Sequence, residues 1–324
     1  MKKLIVPAVC VSMLFCACAA EQEEQTVNTT ASEAETETET QDTIVITEEP
    51  QQDKGYIEGD NYIIYYGEGA LRSDDDALNV EDIMGRLEDM YGMSYDFEGY
   101  ECPTTGLKAL LLDGNYEDVN TDGEKMEIFV VKDQEDGSIE NADSNEIVLF
   151  DYDLDEEGMY YGTAVHELTH LLRLRQSPCL GLVMEEGIAL YSQDVVTREL
   201  GLPDWDMIQF IDSDTYLISY DDSVIVNDPE QAFRDASAGT DQDNYQYGIR
   251  FVYYLVDRYG IGVIDDISAT ARNYDYSYDD PDTIIAIIKE ATDDDVFTNF
   301  AQWLPENWTA YSDAYLEYME PFGI

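Results

Sequence analysis

Residues 160–176 read YYGTAVHELTHLLRLRQ, which places His166, Glu167 and His170 in the spacing H-E-x-x-H. These two histidines are the only ones in the chain. Four residues apart on an α-helix, they share one face. Their imidazoles can therefore converge on a single Zn²⁺, at about 2.0–2.1 Å per bond. Glu167 is turned away by one residue, which puts its carboxylate beside the metal position rather than on it. That is where a general base for water activation belongs. Ala164, Val165, Leu168, Leu171, Leu172 and Leu174 give the helix an apolar face. Pro178 predicts that it ends near Gln176.

The N-terminus is different in kind. Met1-Lys2-Lys3 is followed by an apolar run from Leu4 to Ala20. A basic start, a short apolar core and small residues after it predict an export signal over 1–18, too short and wrongly flanked for a spanning helix. Leu14-Phe15-Cys16-Ala17-Cys18-Ala19 resembles a bacterial lipoprotein processing site. The resemblance implies lipidation at Cys18, with Cys16 as the alternative and a plain cleaved secretory peptide as the other outcome. Residues 19–54 are rich in Glu, Thr and Gln, and no Lys or Arg occurs between Lys3 and Lys54. Such a segment cannot bury enough apolar surface to fold, and it predicts an extended, disordered acidic linker. A lipid followed by this spacer implies a domain displayed at the cell surface and anchored to the membrane.

The formal net charge is −56. A chain this acidic is not expected to bind nucleic acid, because phosphate contacts need a basic surface. Beyond the signal only Cys102 and Cys179 remain, as one disulfide or two thiols.

Residues 55–158 predict a mixed α/β lobe. Strands are expected at 61–66, 107–112, 127–131 and 146–150, and an amphipathic helix at 80–91. Asp118-Val119-Asn120-Thr121-Asp122-Gly123 matches the first half of a calcium loop, but Phe129 stands where the twelfth-position glutamate is needed. Asp151, Asp153 and Asp155 also alternate. Calcium at either loop is a secondary expectation. Helix, strands and then the H-E-x-x-H helix is an order similar to the N-terminal lobe of zinc-dependent peptidases. There an edge strand beside the cleft precedes the motif helix; residues 146–150 would be that strand, able to take a peptide by strand addition.

A catalytic zinc site usually has three protein ligands and one open position, so two histidines need a third partner. Glu186-Gly187-Ile188-Ala189-Leu190-Tyr191 resembles the E-G-x-A-x-Y helix of gluzincin peptidases. The resemblance implies that Glu186 is the third ligand, with Glu185 as its rival. Asp243 to Gly260 predicts a long helix. Within it, Tyr245 and Gly248 followed by Tyr254-Leu255 resemble the Y-x-x-G-x-x-x-x-x-Y-L helix of aminopeptidase-N-like gluzincins. That implies Tyr245 as the oxyanion donor, with Tyr247 and Arg250 as local alternatives. The G-x-M-E-N strand with which aminopeptidases of this clan hold a free amine is absent. Aminopeptidase activity is therefore not implied.

Residues 159–324 are thus expected to form a helical zinc-binding and C-terminal lobe. The helix that carries Glu186 is predicted to run to Leu200 and stop at Gly201; further helices are predicted at 262–272, 282–291, 294–304 and 309–319, and an irregular, loop-rich insertion at 203–243. The expected fold class is α+β and zincin-like. The expected activity is zinc-dependent cleavage of peptide or protein substrates. The competing expectations are a surface lipoprotein that binds peptide or glycan without cleaving it, and a glycoprotein- or mucin-directed metallopeptidase.

Overall fold

The computed structural model describes residues 56–66, 80–93, 125–131, 146–150, 157–211 and 222–323. Its sheet runs in the order β1 (Tyr56–Glu58), β2 (Tyr62–Tyr66), β3 (Met126–Val131) and β4 (Glu146–Phe150). β1 and β2 are antiparallel, joined by a tight turn in which Gly59 N–H donates to the Tyr62 carbonyl at 2.9 Å. β2, β3 and β4 are parallel neighbours. Parallel strands cannot be joined by a hairpin, and α1 (Val80–Tyr91) lies in the β2–β3 connection. Its buried residues Val80, Ile83, Met84, Leu87 and Tyr91 follow the helical period and face α2 (Glu157–Gln176) and α3 (Leu182–Leu200). The Tyr91 hydroxyl ends that face in a 2.6 Å hydrogen bond with Ser192 Oγ.

Among the described residues β4 is the outer strand on its side of the sheet, and it packs against α2. Every residue of α2 from Ala164 to Arg173 is buried, the polar His166, Glu167, Thr169, His170 and Arg173 included. A helix covered all round must have its charges matched in place, and this requirement shapes the site described below. α3 turns back along α2 after the short link 177–181 and stops at Gly201, which takes a left-handed φ of 70°.

α7 (Asp241–Tyr259) crosses α3 with no side chain between the backbones. A Cβ on Gly187 would stand 2.4 Å from the Gly248 carbonyl, and one on Gly248 would stand 2.2 Å from the Val183 oxygen. The glycines of the two motif helices therefore meet each other. α7 starts at a Thr240–Asp243 box, in which the Asp243 carboxylate accepts from the Thr240 N–H and hydroxyl, each at 2.8 Å.

The structure corrects the sequence expectation for 203–243. Instead of an irregular insertion, its described residues hold α4 (Trp205–Ile211), α5 (Asp222–Asn227) and α6 (Pro229–Ser237). The start of α6 is explained by Asp228, whose side chain accepts from Gln231 N–H at 3.2 Å, and by Pro229 in the first turn. α8 (Val263–Ala271) and α9 (Pro281–Ala291) lie within a residue or so of their expected bounds. α10 is a second correction. It runs unbroken from Val296 to Met319 through Pro305, where two helices were expected. The buried series Phe297, Phe300, Leu304, Trp308, Tyr315 and Met319 continues past the proline, so packing outweighs the lost backbone donor.

A β-sheet with α1, followed by a long helical part, makes the architecture α+β. One hydrophobic cluster joins the two, from Ile64 and Ile128 through Leu168 and Leu172 to Leu255 and Phe300. No helix among the described residues is long and apolar enough to cross a membrane. The export signal, Cys18, the acidic linker, the strand expected at 107–112, Cys102 and both calcium loops lie outside the described residues.

Candidate metal centre

Three side chains from two helices meet at one point. His166 Nε2 and His170 Nε2 are 3.1 Å apart; Glu186 Oε2 is 3.1 Å from the first and 3.3 Å from the second. In a tetrahedral site with bonds of about 2.0–2.1 Å, ligand atoms stand about 3.3–3.4 Å apart. The triangle is therefore close to one face of such a tetrahedron. Among the described residues, these three form the one cluster of ligand atoms close enough to share an ion, and all three are buried.

The protonation pattern explains why an ion fits. Asp204 can only accept as a carboxylate, so the Gln193 amide nitrogen donates to its Oδ1 at 3.0 Å. This leaves Gln193 Oε1 facing His166 Nδ1 at 3.2 Å, so Nδ1 carries the proton. His166 Nε2 then presents a lone pair to the triangle, as does Glu186. In the protein alone, only a proton on His170 Nε2 can bridge them. Burial opposes a charge on His170, but Glu186 and, behind it, Glu167 and Glu185 outweigh burial and lift its pKa to about 9. Burial likewise pushes the Glu186 carboxyl up, but His170 and His166 hold it down to about 2. Three buried donor atoms this close could hold a metal ion in place of that proton. His170 Nδ1 is buried and meets no hydrogen-bond partner among the described residues.

Glu185, the rival ligand, is engaged elsewhere. It accepts from Arg173 Nε at 2.7 Å, from Arg173 Nη2 at 3.1 Å and from the Leu180 N–H at 2.9 Å. Adjacent glutamates on α3 thus divide: one faces the arginine, the other the histidines. Glu167 is buried beside the triangle without belonging to it, and its charge contributes to the raised pKa of His170.

The three candidate oxyanion donors also separate. Tyr245 is buried with its ring centroid 6.0 Å from that of His166 and 5.5 Å from that of Phe210. It sits one turn before Gly248, so the glycine contact between α3 and α7 brings it to the histidines. Tyr247 donates to the Pro229 carbonyl at 2.7 Å and packs on Phe233 and Phe251. Arg250 pairs with Asp222 at 2.8 Å and lies 4.7 Å over the Trp308 ring. Those two hold α7 to α5, α6 and α10; Tyr245 alone of the three is placed against the donor triangle.

Sequence reasoning missed Gln193, Asp204 and Phe210. Gln193 lies seven residues after Glu186, two helical turns along the same face, and that periodicity was its signal. Asp204 caps α4, accepting from Met207 N–H at 3.2 Å; an aspartate between Pro203 and Trp205 marks such a start.

Comparison of the chain with models of known protein families, with curated proteins and with solved structures returns no match.

Proposed function

We propose that this chain is a zinc-dependent hydrolase of peptide bonds, of gluzincin type, exported and held at a bacterial cell surface by a lipid on Cys18. The observation that carries the proposal is the buried triangle of His166, His170 and Glu186, three lone-pair donors with near-tetrahedral spacing. Two imidazoles and one carboxylate, without a thiolate, are a donor set suited to zinc with one position open. Held there, zinc supplies Lewis-acid polarisation of a carbonyl and makes water a nucleophile at neutral pH.

The chain's own residues supply the rest. Glu167 takes a proton from the attacking water and passes it to the nitrogen of the leaving amine as the C–N bond breaks. Tyr245 donates its hydroxyl to the oxygen that gains negative charge. β4, on the rim of the sheet and packed against α2, offers an edge on which an extended peptide can pair. The sequence has no G-x-M-E-N strand, so aminopeptidase activity is not part of the proposal. The N-terminal sequence supports export, and the net charge of −56 disfavours nucleic acid as a partner.

The test is Glu167→Gln, assayed against a peptide mixture by mass spectrometry. Hydrolysis is expected to fall about 10²–10⁴-fold, with about one equivalent of zinc retained. Wild-type activity in that variant would overturn the mechanism. Wild-type protein that binds peptides and leaves them intact would favour the non-hydrolytic alternative.

A further inference from the structure

We propose that Gln193 and Asp204 form a positioning relay that fixes the tautomer and ring orientation of His166, and that Gly162 exists to make room for it. The relay runs outward from the donor triangle. His166 Nδ1–H donates to Gln193 Oε1 at 3.2 Å, and Gln193 Nε2–H donates to Asp204 Oδ1 at 3.0 Å. Gln193 and Asp204 are both buried. A buried amide between an imidazole and a carboxylate has one orientation that satisfies both neighbours. The carboxylate accepts only, so the amide oxygen must face the ring. The proton is thereby placed on Nδ1, and Nε2 is kept as a lone pair aimed at Glu186 and His170.

A second observation is independent of those hydrogen bonds. Gly162 lies on α2 one turn before His166, on the same face. A Cβ there would stand 2.9 Å from Gln193 Nε2 and 3.3 Å from Asp204 Oδ1. Glycine inside a helix is less favourable than alanine, and here the absence of a side chain is what lets the relay lie against α2. A third feature secures the far end. The Tyr315 hydroxyl of α10 donates to the Asp204 carbonyl at 2.7 Å, and that of Tyr318 donates to the Leu202 carbonyl at 2.7 Å. The loop that carries Asp204 is thus tied to the C-terminal helix. His170 has no such arrangement: its Nδ1 meets no acceptor among the described residues. The two histidines are held by different means, His166 by a relay and His170 by burial and Glu186.

The purpose of the relay rests on the metal centre proposed above; its geometry does not. The experiment keeps them apart. With only two histidines in the chain, ¹⁵N NMR of the imidazole nitrogens reads each ring separately in the metal-free protein. Zinc affinity is then measured by competition with a chelator. Wild type is expected to show His166 as a single Nδ1–H tautomer. Gln193→Leu is expected to lose that single tautomer and to bind zinc about 10–100-fold more weakly. Gln193→Glu keeps an acceptor toward His166 and shares one proton with Asp204, so it is expected to restore both readouts. Gly162→Ala gains helix propensity yet displaces the relay, so it is expected to weaken zinc binding without lowering the melting temperature. It serves as the test if Gln193→Leu does not fold. An unchanged His166 tautomer and unchanged zinc affinity in Gln193→Leu or Gly162→Ala would overturn the relay. A tautomer fixed in wild type and lost in Gln193→Leu, with zinc bound by neither, would support the relay and overturn the metal centre.

Discussion

Two charged clusters lie side by side between α2 and α3, built from neighbouring residues, and they are completed in opposite ways. In one, the Arg173 guanidinium faces the Glu185 carboxylate through bonds of 2.7 and 3.1 Å, and the Leu180 N–H adds a third at 2.9 Å. Both side chains are buried, and their charges cancel. In the other, His166, His170 and Glu186 bring three lone-pair atoms together, and only a proton on His170 holds them. The same two helices, the same depth and adjacent glutamates give one cluster closed by an arginine and one held by a proton whose place a metal ion could take. Burial of acidic groups is therefore not what marks a site. The mark is a set of donor atoms that, among the described residues, no arginine or lysine neutralises.

The largest effect is expected at the closed cluster. Arg173→Ala leaves Glu185 buried and unpaired, and should destabilise the protein by about 3–5 kcal/mol in chemical denaturation. Replacing both partners, as Arg173→Met with Glu185→Met, should recover much of that loss, because an apolar pair needs no matching. If Arg173→Ala were silent, the pair would not be the structural element that its geometry indicates.

At the open cluster the expected effect is conditional on metal. Zinc at about 100 times its dissociation constant should stabilise the wild type by about 2.7 kcal/mol. Glu186→Ala should lose that gain in full, as read by thermal melting with zinc and with chelator. Glu185→Gln should keep it. An equal response to zinc in Glu186→Ala and wild type would break the distinction between the two glutamates.

How much of this could be read from the sequence follows from where each constraint resides. His166, Glu167 and His170 are local: helix geometry alone sets their relation. Glu186 was accessible through the motif around it, and the structure gives the physical reason, since the short link 177–181 turns α3 back so that its first turns face the histidines. The place of Tyr245 beside His166 follows from the glycine that lets α7 touch α3. α5 and α6 were hidden because they are short and lie within a stretch whose many aspartates resemble a solvated loop, although Asp228-Pro229 carries a helix start. Pro305 suggested a break in α10 that tertiary packing overrides. Gln193 and Gly162 were the hardest to see. An amide and a glycine carry no chemical signature by themselves; they gain one only when three helices and a capping loop bring them to the same ring.

The smallest effect is the most direct measure of the difference between the clusters. His170 has a folded pKa of about 9, above the ordinary 6.5. A raised histidine stabilises the metal-free fold fully below its unfolded pKa and loses that contribution as the pH rises through about 9. Glu186, held at about 2 instead of 4.5, stabilises it above about 4.5 and loses that as the pH falls through about 2. The metal-free pair is thus at full strength between about pH 4.5 and 6.5. Zinc needs the imidazole that this proton occupies. At neutral pH its binding should release about one proton, and its affinity should rise about tenfold per pH unit until it levels off above about 9. Calorimetry in buffers of different ionisation enthalpy measures both quantities. Glu185 faces Arg173 and stands outside the donor triangle, so Glu185→Gln should alter the proton count little. Zinc binding without proton release would mean that the donor triangle is already open in the free protein, and that the two clusters differ less than their geometry implies.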